Sequence, residues 1–134
     1  MRGPKKPSWG AFKPPKRTGK LAPIKDEWPK NFMMTDVNRG LALTALERGV
    51  CLAFDYHGCH RIVGVFTVGL TQANRPAMSA WQVDGQSNEI SIPGWGTFCF
   101  DECFNVALSD RPAPPAPADY RKGAKNFSRI DREF

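Results

Sequence analysis

Apolar and polar positions along the chain fall into three regimes. From Asp36 to Val50, the apolar residues Leu41, Leu43, Ala45 and Leu46 supply one face of a helix. Thr35 or Asp36 is placed to cap its start, since a short side-chain oxygen accepts from the free N–H groups of the first turn. Gly49 is placed to stop it, and Gly40 keeps it short. From Cys51 onward the period changes to two. Cys51–Tyr56 reads as a strand and Tyr56–Cys59 as its turn. His60–Leu70, rich in Ile62, Val63, Val65, Thr67 and Val68, reads as a second strand. Gly64 inside it marks a bulge or a close backbone approach. Ala73–Pro76 is a turn, Met78–Val83 a third strand, Asp84-Gly85 a turn and Thr97–Phe100 a fourth strand. Asp101–Leu108 either continues the fourth strand or bends away.

The third regime is the C-terminal part. Arg111–Pro117 is a low-complexity, Pro-rich spacer of the kind that favours stiff, extended polyproline II. Beyond it, Phe127, Ile130 and Phe134 stand at helical spacing, which predicts a short amphipathic helix packing back on the domain. The pattern therefore predicts a mainly β (α+β) fold. A short helix precedes four or five short strands forming a small, strongly bent sheet or barrel, and a C-terminal helix follows.

Charge changes the picture at one end only. The chain has 134 residues and a formal net charge of +6, enough for one domain with tails. Residues 1–30 hold nine basic residues against Asp26 and Glu27, whereas residues 31–134 hold ten basic and eleven acidic. The basic stretch also carries Pro4, Pro7, Pro14, Pro15, Pro23 and Pro29. Like charges repel and proline blocks helix propagation, so residues 1–33 read as a disordered or extended arm. Residues 34–108 form the body, and 109–134 the spacer and amphipathic segment. No apolar run reaches the roughly 20 residues of a membrane helix. No apolar stretch follows the first residues as a secretory signal requires. A cytoplasmic protein without membrane contact is expected.

The body carries a resemblance. The run Tyr56–Val63 (YHGCHRIV) is followed by Val68-Gly69, by Arg75–Gly85 (RPAMSAWQVDG) and by Gly94–Asp101 (GWGTFCFD). In that order these resemble the WYL-type domains, most closely the short stand-alone proteins of bacteria and phages. Asp119–Ile130 is similar to the tail of such proteins, and residues 1–30 lie outside the likeness. The resemblance implies an SH3- or Sm-like small barrel that serves as a ligand sensor or nucleic-acid-binding module. The family's usual Glu, Pro and His fall on Gly64, Val65 and Phe66, its third-strand cation on Ser79, and two further arginines on Gly96 and Glu102. What survives is Arg61, Gln82, Ser87, Trp95, Phe98 and Asp101. The loss of charge-assisted bonds, each worth roughly 1.5–3 kcal/mol, puts the usual anionic ligand site in doubt.

Two function classes follow. The first is a non-enzymatic module that binds nucleic acid or a nucleotide-like ligand. Lys5, Lys6, Lys13, Lys16, Arg17, Lys20 and Arg61 would neutralise phosphates, and Trp9 and Phe12 would stack on bases. Arg61, Gln82, Ser87 and Trp81 would form the ligand face. The second is a protein-interaction factor, for example a phage-encoded inhibitor of a host nucleic-acid-acting complex such as a CRISPR effector. Its Pro-rich arm would wrap a protein target. No cofactor is expected. Cys59, His57 and His60 are the ligand types a zinc site uses, yet the spacing of the four cysteines lacks a C-x-x-C knuckle, so no metal is expected. Of the cysteines, Cys59 is expected to be the exposed one. Two histidines in a single turn give no catalytic constellation. Trp81, Trp95, Phe98 and Phe100 are expected mainly as core.

Overall fold

A computed structural model describes residues 28–134. A 3-10 turn (Phe32–Met34) leads into helix α1 (Thr35–Arg48). Strands β1 (Val50–Tyr56), β2 (Cys59–Thr71), β3 (Pro76–Gly85) and β4 (Gly94–Cys99) follow. A second 3-10 turn (Phe100–Glu102) precedes β5 (Cys103–Pro112) and β6 (Phe127–Glu133). The strands are antiparallel in the order β4-β3-β2-β1-β5, with β6 joined to β2. The sheet does not close on itself.

The thirteen-residue β2 organises the molecule. One edge pairs with β3. The other pairs first with β1, from Leu52↔Val63 to Tyr56↔Cys59, and then with β6, from Thr71↔Phe127 to Thr67↔Glu133. The side-chain alternation sends Leu52, Phe54, Val63, Val65, Met78, Ala80 and Phe98 to one face, where Ala42 and Ala45 of α1 cover them. Between Val65 and Thr67 the register against β3 slips, so Phe66 is the extra residue of a bulge. Phe66 turns to the opposite face and meets Trp95, Tyr120 and Phe134 at ring-centroid distances of 5.4, 5.2 and 4.9 Å. Trp81 joins through Trp95 at 5.2 Å. The C-terminal segment thus lays a second aromatic layer on the face α1 leaves open.

Several expectations change. The C-terminal segment forms a strand, β6, and not a helix: pairing with β2 supplies backbone partners that outweigh the 3.6-residue apolar spacing. Residues 101–108 split into a turn and the start of β5, with Phe100 buried beside Phe98 in the core. The cap of α1 is Met34, with no side-chain cap bond, and the Thr35 hydroxyl donates to Phe32 O at 2.7 Å. Gly49 ends the helix as expected, at φ 69°, its N–H bonded to Ala45 O. The buried line of α1 is Asn38, Ala42 and Ala45, flanked by the partly buried Leu41, Leu43 and Leu46. The spacer continues β5 through Pro112 and then crosses Gly64, where a Cβ would stand 2.6 Å from the Pro114 ring. That contact is the close approach the glycine allows.

Candidate functional site

The β1–β2 connection is a two-residue turn, His57-Gly58, with φ 51° and 77°. Positive φ at both positions is what a type I′ hairpin requires. The turn projects His57 beside Arg61 and fixes a charged cluster at one end of the sheet.

Arg61 is only 1% exposed. It lies opposite Phe54 and shares the core face with it. Its guanidinium donates twice to Tyr56 O, at 3.2 and 3.1 Å, and once to each of three side chains. These are Gln82 Oε1 at 3.4 Å, Ser87 Oγ at 3.1 Å and Glu89 Oε1 at 2.8 Å. An arginine has five N–H donors, so the group is saturated. Its Cζ stands 5.4 Å from the centres of both the Tyr56 and Phe98 rings. Gln82, fully buried, returns its amide N–H groups to Asp84 O and Gln86 O. Ser87 Oγ also accepts from the Glu89 and Ile90 amides at 3.0 Å each, which folds the 86–90 loop over Arg61.

His57 completes the wall. Its ring stacks between Trp28 and Tyr56, at 4.3 and 4.0 Å. Nδ1 lies 2.8 Å from Glu89 Oε2 and Nε2 lies 2.6 Å from Glu102 Oε1. Glu102, 3% exposed, also pairs with Lys30 at 3.0 Å and Arg75 at 3.1 Å. Burial alone would raise its carboxyl, but hydrogen bonds from His57, Lys30 and Arg75 outweigh it and pull the value down to about 2. In Glu89 the same contest, between burial and bonds from His57 and Arg61, ends below the ordinary carboxylate value. Arg75 also pairs with Asp101. Beside this wall lies a cavity of about 480 Å³, bounded by the Thr71–Arg75 turn, Glu89-Ile90, Tyr56 and β4.

The structure brings Arg61, Gln82 and Ser87 into one hydrogen-bonded group, but as interior supports. Arg61 is buried and presents no free donor to an incoming phosphate, which departs from its expected role as a phosphate or ligand contact. Trp81 stands apart from that group, on the opposite face with Trp95. Lys5, Lys6, Lys13, Lys16, Arg17, Lys20, Trp9 and Phe12 lie outside the described residues. His60 pairs with Asp55 across the β1–β2 ladder at 2.8 Å, and Cys59 is buried, 3.9 Å from Asn88 Nδ2. Cys99 is the half-buried cysteine in place of Cys59. Among the described residues, no group of three or more His, Cys, Asp or Glu side chains is arranged to hold a metal ion. Burial and the charges around it push the Cys103 thiol well above the ordinary value, which leaves it a poor nucleophile.

Sequence reading missed four members of the cluster: Glu102, Glu89, Arg75 and Trp28. They come from four separate segments; the three charged residues are ordinary surface types, and nothing local ties Trp28 to the His57 turn until the segments converge. Asn38 was missed too. It is buried in α1 and donates to Phe100 O and Cys103 O at 3.0 Å each, fixing the helix to the second 3-10 turn. No helix among the described residues is long and apolar enough to cross a membrane. Compared with known proteins, the chain matches no family model, no curated protein and no solved structure.

Proposed function

We propose that this chain is a non-enzymatic, cytoplasmic binding module. In this reading a WYL-like variant of a small SH3- or Sm-like fold carries a basic arm that contacts nucleic acid. One observation carries the reading: cationic charge is segregated. Residues 28–134 hold eleven basic and eleven acidic residues, whereas residues 1–27 hold eight basic and two acidic. Among residues 28–134, Arg61, Arg75, Lys30 and Arg39 are each paired with a carboxylate. The net excess of positive charge therefore lies in residues 1–27.

Fluorescence anisotropy with labelled single-stranded and duplex oligonucleotides tests this, using the full chain and a full-length variant with Lys5, Lys6, Lys13, Lys16, Arg17 and Lys20 changed to Gln. The wild type binds with a steep salt dependence. The variant loses roughly 4–5 from the slope of log K against log salt, at about 0.7–0.9 per neutralised phosphate. Equal affinity and slope in both proteins would sink the reading.

One observation favours the second reading, a protein-interaction factor such as an inhibitor of a nucleic-acid-acting complex. Phe32, Met33, Met34 and Val37 are exposed by 66, 95, 41 and 50% around the start of α1. An apolar cluster left in water marks a contact surface for a protein. In that case a pull-down recovers a protein target at moderate salt, Met33→Glu loses it, and naked nucleic acid binds neither form.

A further inference from the structure

We propose that the free edge of β4 accepts an extended, uncharged segment of a protein partner as an added strand. The inference goes beyond nucleic-acid contact by the arm and does not depend on it.

β4 pairs with β3 alone, in six consecutive pairs from Ala77↔Cys99 to Gln82↔Gly94 with no slip of register. The Cys99 N–H turns away from β3 and donates to Tyr56 Oη at 3.1 Å. Alternation in an antiparallel ladder sends the N–H and C=O groups of Thr97 and Trp95 the same way. Among the described residues, no loop, turn or side-chain hydrogen bond reaches the main chain of either one. A row of unpaired peptide groups is a template for another strand, and folded proteins usually blunt it with charge, proline or a bulge. The opposite edge of the sheet is blunted. β5 slips register twice against β1, has Asn105 at φ 53° and carries Asp110 and Arg111. β4 reads Gly-Trp-Gly-Thr-Phe-Cys and has none of these devices.

A cavity lies along this edge. The volume of about 480 Å³ runs beside Gly96–Cys99, from the Thr71–Arg75 turn to Ile90. Strand addition uses both features: main-chain bonds give affinity, and an adjoining pocket selects a side chain. The charges around the cavity select against a charged occupant. Arg61 is matched by Glu89, Arg75 by Asp101 and Glu102, and His57 sits between Glu89 and Glu102. A further charge would have to compete for groups already paired. Tyr56, Phe98, Ala73 and Ile90 offer apolar contact to an uncharged side chain.

The test selects short peptides from a random display library against the full chain. The best binder is then synthesised unmodified and in two forms N-methylated on alternate amides. Amide exchange is followed by NMR at two protein concentrations. The unmodified peptide slows the Trp95 and Thr97 amides by about tenfold or more. One N-methylated form, the one blocking amides that face β4, loses binding, whereas the other keeps it. Thr97→Pro removes one outward N–H without removing a β3 ladder bond, so it loses the peptide while β3 stays protected. The proposal is overturned if no peptide is selected, or if the binder leaves both amides unchanged. Slow exchange at both amides in the free chain at every concentration would mean that the chain itself fills the edge. Slowing with protein concentration alone would make a second copy the occupant. Either result overturns the proposal.

Discussion

Arg61 holds the 86–90 loop to the sheet through Ser87 and Glu89, and its burial makes it a support of the fold. Replacing it by Ala leaves Glu89 without that cation and a hole beside Tyr56 and Phe98. The buried Tyr56 O and Gln82 Oε1 also lose their donor, and at about 1–3 kcal/mol for each unsatisfied buried group we expect a loss on the order of 3 kcal/mol in urea unfolding. The salt slope of oligonucleotide binding should stay that of the wild type. An unchanged stability with a reduced slope would return Arg61 to a phosphate-contact role. Glu102 makes a second residue-scale prediction. Its folded-state value of about 2 lies below the ordinary 4.5, so its contribution is fully present above pH 4.5 and fades as pH falls through 2. Glu102→Gln should lower stability at pH 7 by on the order of 3 kcal/mol, since Arg75, Lys30 and His57 lose their common carboxylate. The gap between the two proteins should narrow by pH 2.5 in urea titrations.

At the scale of elements, β6 depends on a close approach. A Cβ on Gly69 would collide with the main-chain carbonyl of Arg129, in the stretch where the β2–β6 register slips. Gly69→Ala should therefore release residues 127–133 to fast amide exchange while β1 and β3 stay protected. Uniform loss of protection along the sheet would show that β6 is inseparable from the rest. The strands β1 to β4 were legible because alternation and β-branched residues coincide there. The same alternation puts Arg61 in line with Val63 and Val65, and so already pointed it inward. Expecting a phosphate contact there follows residue type over position. The end of the chain was not legible, since Phe127, Ile130 and Phe134 satisfy a helical period as well as a strand whose partner lies more than 50 residues away. The His57 cluster was half legible. The turn is local, but Trp28, Arg75, Glu89 and Glu102 meet only through tertiary structure.

For the molecule as a whole, two layers share one sheet. Phe66 belongs to the second layer because it alternates with the core-facing Val65, the bulge there returning Val68 to the core, and it is 1% exposed. Phe66→Ala should cost about 3–5 kcal/mol, and Tyr120 and Phe134 should lose their packing along with it. Tryptophan fluorescence would report this through Trp95, which stands against both Phe66 and Tyr120. An unshifted emission with unchanged stability would mean that the layer holds without it. The division of β2 between two partners also sets an order of events on the ribosome. The half that joins β1 finds its neighbour within a hairpin, whereas the half that joins β6 waits for residues 56 to 66 positions further on. At about 5–20 residues per second that delay is roughly 3–13 s. For those seconds Thr67–Thr71 is an apolar strand without a partner on that side, and the nascent chain is then most exposed to aggregation and to capture by chaperones.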